Sequence, residues 1–170
     1  MRWADFLNYA SQLSFKEYQT RYQLPAIITA LSEDSTSKHV HSIGKPTRVS
    51  LLPHNSHGFE SNQIHFLKEG STLLGRDFNC DIIYVSDEVS RNHAKFRYLE
   101  VCGGRWTIID CCSKNGTYVN DHRVRIIPQC LEDCDTIRLG QSINLIFRTP
   151  VGLWEAIELA RKQMLEECTI

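Results

Sequence analysis

The chain has 170 residues, enough for one well-cored domain with extensions and hardly for two. Hydrophobic residues make up 42% and charged residues 23%, the ordinary proportions of a soluble globular protein. With 19 Lys and Arg against 20 Asp and Glu, the net charge of −1 argues against a general nucleic-acid binder, although a small local basic site stays open.

At the N-terminus, Trp3, Phe6, Leu7, Ala10 and Leu13 recur at helical spacing, and residues 2–32 read as helical. Ser14-Phe15-Lys16-Glu17 has the form of a capping box that starts a second short helix. Pro25 breaks that helix, and AIITAL (26–31) reads as a last helical turn. The segment lacks the apolar core of a signal peptide, and no apolar run approaches the roughly 20 residues that span a bilayer. The expectation is an intracellular protein, cytoplasmic with the nucleus left open, and no membrane partner. Residues 33–47, EDSTSKHVHSIGKPT, have few large apolar groups and read as a linker.

From 48 to 149 the pattern changes. RVSLL, IHFL, TLLG, CDIIYV, HAKFRYLE, RWTIID, TYVN, HRVRII, DTIRL and NLIFR are short and β-rich, with Gly, Asn, Asp and Ser between them. Many short strands at close spacing predict a mainly β sandwich or barrel. Ala94, Phe96 and Tyr98 share one strand face, as do Trp106 and Ile108 on the next. After Pro150, Leu153, Ala156, Ile157, Ala160 and Met164 form an apolar stripe on a helix over 150–170. Such a stripe either packs on its own domain or serves a partner or a second copy of the chain.

Seven cysteines, at 80, 102, 111, 112, 130, 134 and 168, are odd in number and contain no CxxC pair. Neither a disulfide framework nor a zinc site is expected, and no role is assigned to Cys111-Cys112. His39, His41, His54, His57 and His65 are dense in sequence but read as separate loop histidines, with no metal.

The polar chemistry gathers in three inter-strand turns: LLGRDFNCDI (73–82), SDEVSRNHA (86–94) and DCCSKNGTYVN (110–120). Loops at one end of a sandwich converge on a rigid frame. Together they supply Arg76, Ser90, Arg91, Asn92, His93, Lys114, Asn115 and Thr117. Arginine offers a planar fork that matches phosphate bidentately, and hydroxyls and loop N–H groups add neutral donors. Asp87 and Glu88 lie near Ser90 in sequence, but spacing alone does not make either a general base for its hydroxyl. The set reads as an anion clamp without catalytic equipment. No metal-ligand cluster, activated nucleophile or Gly-rich nucleotide loop accompanies it, so an enzyme and a cofactor are not expected.

Gly75-Arg76, then Ser90-Arg91-Asn92-His93, then Asn115-Gly116-Thr117 with Asn120, resemble the signature of the forkhead-associated (FHA) domain family: GR, SxxH and NGTxxN in that order. The likeness spans 75–120 and extends through the surrounding strands to about 48–149. It implies a β-sandwich of about eleven strands that recognises phosphothreonine in a partner, a kinase or kinase substrate, as an adaptor or regulator in Ser/Thr kinase signalling. In that family's terms Arg76 holds the phosphate and Ser90 donates its hydroxyl to it. Arg91, where the family varies, assists or selects nearby acidic residues. Lys114 contacts phosphate or peptide backbone, and Asn115 grips the peptide main chain. Gly75, His93, Gly116, Thr117 and Asn120 resemble the residues that support the site.

Two further readings belong beside this one. The sandwich face and terminal helices could act as a phosphate-independent scaffold, with self-association through the helices. Ser35, Thr36, Ser37 or Thr47 in the linker, if phosphorylated, could dock into the same site or a neighbouring copy's.

Overall fold

The computed structural model describes residues 1–30, 63–100 and 103–167. The linker, the expected strand RVSLL, the linker Ser and Thr residues, and His39, His41, His54 and His57 lie outside the described residues.

The chain begins with α1 (Trp3–Ala10) and α2 (Phe15–Arg21). The capping box opens α2: Ser14 Oγ accepts from the Glu17 N–H, and the Glu17 carboxylate accepts from the Ser14 N–H. The reading of AIITAL is corrected. Ala26–Ala30 is strand β1, not a helical turn. It pairs antiparallel with the strand Ile143–Arg148, from Ala26↔Arg148 to Ala30↔Asn144, and on its other side with the strand Ile64–Phe66. The physical reason is burial on both faces: Ile27 enters the core between the sheets, while Ala26 and Ile28 face the helices. A strand covered on both sides is continuously apolar and shows no alternation.

One sheet has six strands in the order β2 (Ile64–Phe66), β1, β11 (Ile143–Arg148), β10 (Thr136–Leu139), β7 (Thr117–Val119) and β8 (His122–Arg123). The other has five: β4 (Ile82–Ile83), β3 (Ser71–Gly75), β5 (Ala94–Leu99), β6 (Arg105–Asp110) and β9 (Gln129–Cys130). Every pairing is antiparallel except β3 with β4. The fold is therefore the expected mainly β sandwich. Leu74, Ala94, Phe96, Ile108, Ile137, Leu139 and Phe147 fill the space between the sheets.

A second core lies on the outer face of β1 and β2. Trp3, Phe6, Leu7 and Tyr18 of the N-terminal helices meet Ile28, Ile64, and Leu153, Ile157 and Ala160 of α3 (Pro150–Glu167). Leu153, Ala156, Ile157 and Ala160 of the α3 stripe thus pack on their own chain. Tyr18 donates its hydroxyl hydrogen to the Pro150 carbonyl (2.9 Å), and Arg161 donates to the carbonyls of Ser11 (2.5 Å) and Leu13 (3.0 Å). No helix among the described residues is long and apolar enough to cross a membrane.

Candidate functional site

Three connections converge: β3 to β4, β4 to β5, and β6 to β7. Arg76 follows β3 directly. Its N–H donates to the Ser90 carbonyl (3.0 Å), and the Asp77 N–H donates to the Arg91 carbonyl (3.2 Å). These bonds sew the first connection to the second. No side chain fits where they meet: a Cβ on Gly75 would fall 1.9 Å from the Arg91 carbonyl oxygen.

His93 lies fully buried below. Its Nδ1 accepts from the Ser90 N–H (3.0 Å), which puts the imidazole proton on Nε2, and Nε2 donates to the Gly116 carbonyl (3.2 Å). Burial pushes its pKa below the ordinary histidine value, against the opposite pull of the Gly116 carbonyl and Asp110. A neutral imidazole thus pins the second connection to the third.

Ser90 Oγ accepts from the Lys114 N–H (2.9 Å), which leaves its own hydroxyl proton to donate. Asn115 donates its side-chain amide to the Glu88 carbonyl (3.0 Å). Gly116 takes φ +85°, in the left-handed region that glycine occupies without steric cost, and its N–H donates to Ser113 Oγ (3.0 Å). Thr117 is buried and donates to Asp110 Oδ1 (2.7 Å). Asn120 and Asp121, φ +48° and +65°, form the positive-φ pair of the β7–β8 hairpin. The Asn120 side chain bonds the Thr136 N–H (3.0 Å) and Asp135 (2.7 Å) beyond it.

The result is an open cleft lined by Arg76, Asp77, Ser90, Arg91, Asn92 and Lys114. Asn115 stands one residue past Lys114 and is not in the lining. Arg76 is 47% exposed and faces Asp87 across 3.7 Å, a loose, solvent-screened pair. The nearby carboxylates are turned to other work. Asp77 accepts from Asn79, and Glu88 accepts from the N–H groups of Gln141 (2.8 Å) and Ser142 (3.0 Å) and the Ser142 hydroxyl (3.0 Å). Neither Asp87 nor Glu88 is hydrogen-bonded to Ser90. The cleft offers cations and donors to an anion.

Two supporting residues escaped the sequence reading. Glu88 ties the β4–β5 connection to the β10–β11 turn. Asp110 collects the Ser113 N–H (3.0 Å), the Ser113 hydroxyl (2.6 Å) and the Thr117 hydroxyl (2.7 Å). Burial pushes the Asp110 carboxyl up, but these hydrogen bonds and His93 together hold it below its ordinary value. An aspartate three residues before a serine in a Gly-containing turn is a signal that could have found it. His65 is partly buried on β2, with no cluster of potential metal ligands among the described residues.

The FHA domain family model matches residues 72–140. The glycogen accumulation regulator GarA of Mycolicibacterium smegmatis is 39% identical over 106 residues, which cover 62% of this chain and 63% of GarA. The oxoglutarate dehydrogenase inhibitor of Corynebacterium jeikeium is 32% identical over 120 residues, 67% of this chain and 77% of the inhibitor. An FHA domain of an Arabidopsis thaliana hypothetical protein, 18% identical, shares the fold at a TM-score of 0.50 over 75% of this chain and 88% of that one. The chain spans less than two thirds of the length of the curated relatives matched first, 24% of one and 63% of the other. The family match falls on the strands that carry all three converging connections, and the likeness to the corynebacterial inhibitor runs through most of that protein: the chain belongs to the FHA domain family.

Proposed function

We propose that this chain is a phosphothreonine-peptide reader that acts as an adaptor or regulator in Ser/Thr kinase signalling. Its partner is a phosphothreonine-containing protein, a kinase or a kinase substrate, met in the cytoplasm or nucleus. Arg76 and Lys114 supply charge to the phosphate, Ser90 supplies a hydroxyl donor, Arg91 assists, and Asn115 holds the peptide main chain. Gly75, His93, Gly116, Thr117 and Asn120 keep the loops in place. The observation that carries this reading is the Lys114 N–H to Ser90 Oγ bond. It joins two connections at the cleft and leaves the Ser90 proton free for an acceptor between Arg76 and Lys114. The names of the relatives, a regulator and an inhibitor, support a regulatory role.

The test is binding to a degenerate phosphothreonine peptide library beside its phosphoserine and unphosphorylated counterparts, with Arg76→Ala as control. Phosphothreonine peptides should bind, and the variant should lose about 10- to 100-fold in affinity, the worth of charge-assisted hydrogen bonds. Equal binding of phosphorylated and unphosphorylated peptides would instead favour a phosphate-independent scaffold.

A further inference from the structure

A second cleft lies on the other side of the β6–β7 connection. It is lined by Asp110, Cys112, Arg123, Val124, Arg125 and Ile126. Arg123 and Arg125 are exposed, while Val124 between them is buried. Arg125 lies two residues past the start of this alternation, beyond the end of β8 at Arg123, and the exposed–buried–exposed order puts both guanidinium groups on the outer side. Backbone bonds fix the pair: the Val124 N–H donates to the Thr117 carbonyl (2.8 Å), and the Arg125 carbonyl accepts from the Asp110 N–H (3.3 Å). Arg123 reaches the loop of the first cleft, its Nε 3.2 Å from where a Cβ on Gly116 would stand.

Neither guanidinium has an ion pair or side-chain hydrogen bond among the described residues, whereas Arg105, Arg138, Arg148 and Arg161 each face a carboxylate. Asp110, the one acidic group in the lining, keeps its single negative charge while bonded to Ser113 and Thr117, so the two guanidinium charges leave the cleft net positive. Ile126 and Ile127, 73% and 74% exposed, extend the surface with apolar area.

The two clefts share one short loop. Lys114 lines the first and Cys112 the second, two residues apart, so at most about 7 Å separates their Cα atoms. An extended peptide advances about 3.3 Å per residue. At that rise, two to five residues of a peptide leaving a phosphothreonine in the first cleft cover about 7–17 Å.

We propose that Arg123 and Arg125 form a second anion subsite, which takes a carboxylate or a second phosphate from the same phosphopeptide and so sets its flanking specificity. This rests on the reading of the first cleft as a phosphothreonine site. The occupant's chemistry follows from the pair: two adjacent planar forks suit an oxyanion, and the isoleucines suit an apolar neighbour.

The experiment uses phosphothreonine peptide pools with neutral degenerate flanks, and matched pools with Glu or phosphoserine fixed at each position from two to five on either side. Affinities are measured at low and moderate salt for the wild-type chain, the double variant Arg123→Gln/Arg125→Gln, and Arg91→Gln. At one or two positions the acidic pools should bind the wild type about three- to tenfold more tightly, a gain that shrinks with salt. The double variant should lose that gain and bind the neutral pool as the wild type does. Glu separates the carboxylate source from phosphoserine. No gain at any position overturns the subsite. So does a gain that survives the double substitution and disappears in Arg91→Gln. If the neutral phosphothreonine pool fails to bind the wild type, the first cleft's reading falls and the subsite with it.

Discussion

Glu88 ties three connections together from outside the cleft. Its carboxylate accepts from Gln141 and Ser142, and its carbonyl accepts the Asn115 amide. The Gln141 and Ser142 N–H groups, with the Ser142 hydroxyl, hold its pKa below the ordinary glutamate value. Glu88→Gln removes the charge: its amide oxygen can stay on the two N–H groups while its NH2 meets the Ser142 hydroxyl, so charge-assisted bonds become neutral ones. We expect phosphopeptide affinity to fall about threefold to tenfold as Asn115 and the β10–β11 turn loosen, with the melting temperature nearly unchanged. An unchanged dissociation constant in a peptide titration would refute this. At this scale the loops that form the cleft were legible, with Arg76 and Ser90 in its lining and Asn115 beside it, and the bracing residues only in part. Arg76, Ser90 and Asn115 announce themselves because their loops carry the whole chemistry within a few residues. Glu88 does not, since its partners stand 53 and 54 positions away.

At the scale of elements, α1 ends on a residue from the far end of the chain. Arg161 of α3 donates to Ser11 and Leu13, and its guanidinium lies 5.5 Å over the Trp154 ring. Carbonyls at a helix C-terminus have no intrahelical partner, so this is a cap supplied in space and not in sequence. Arg161→Met keeps the apolar stem and removes the donors. The expected outcome is faster amide exchange across residues 3–21, a stability loss of about 1–2 kcal/mol, and unchanged phosphopeptide affinity. Slow exchange in α1 of the variant would show that packing alone holds the helix. The helices were readable because their periodicity and the Ser14–Glu17 box are local. β1 was not, since a five-residue apolar run fits a buried strand and a helical turn alike. β9, two residues long, is too short to show any pattern at all.

Across the whole molecule, buried His93 and partly buried His65 tie the site and the β2 edge to pH. Burial lowers the pKa of His93 and of His65 from the ordinary 6.5, and for His65 the nearby N-terminal amine lowers it further. The unfolded chain then binds more protons than the folded one just below pH 6.5, so stability is full above that value and is lost as pH falls from it toward the folded pKa. Thermal melts from pH 8 to pH 5 should show the melting temperature fall on the acid side of about 6.5. A flat profile across that range would mean that both imidazoles titrate as freely in the fold as outside it. The order of strands in the two sheets, and the helical layer's choice of the six-stranded one, were beyond a reading of the residues. Both depend on pairings between distant segments, such as β1 with β11, that no local pattern encodes. The close approach at Gly75 has a consequence for how a guest is received. Nothing is interposed between the end of β3 and the Arg91 main chain, and backbone bonds join Arg76 to Ser90 and Asp77 to Arg91, so the backbones that carry Arg76 and Arg91 are tied to each other before any guest arrives. A peptide docking there is expected to give up chiefly its own entropy, because the loops are already tied together. Its association rate is then expected to rise as salt is lowered, as diffusion steered by the cations requires.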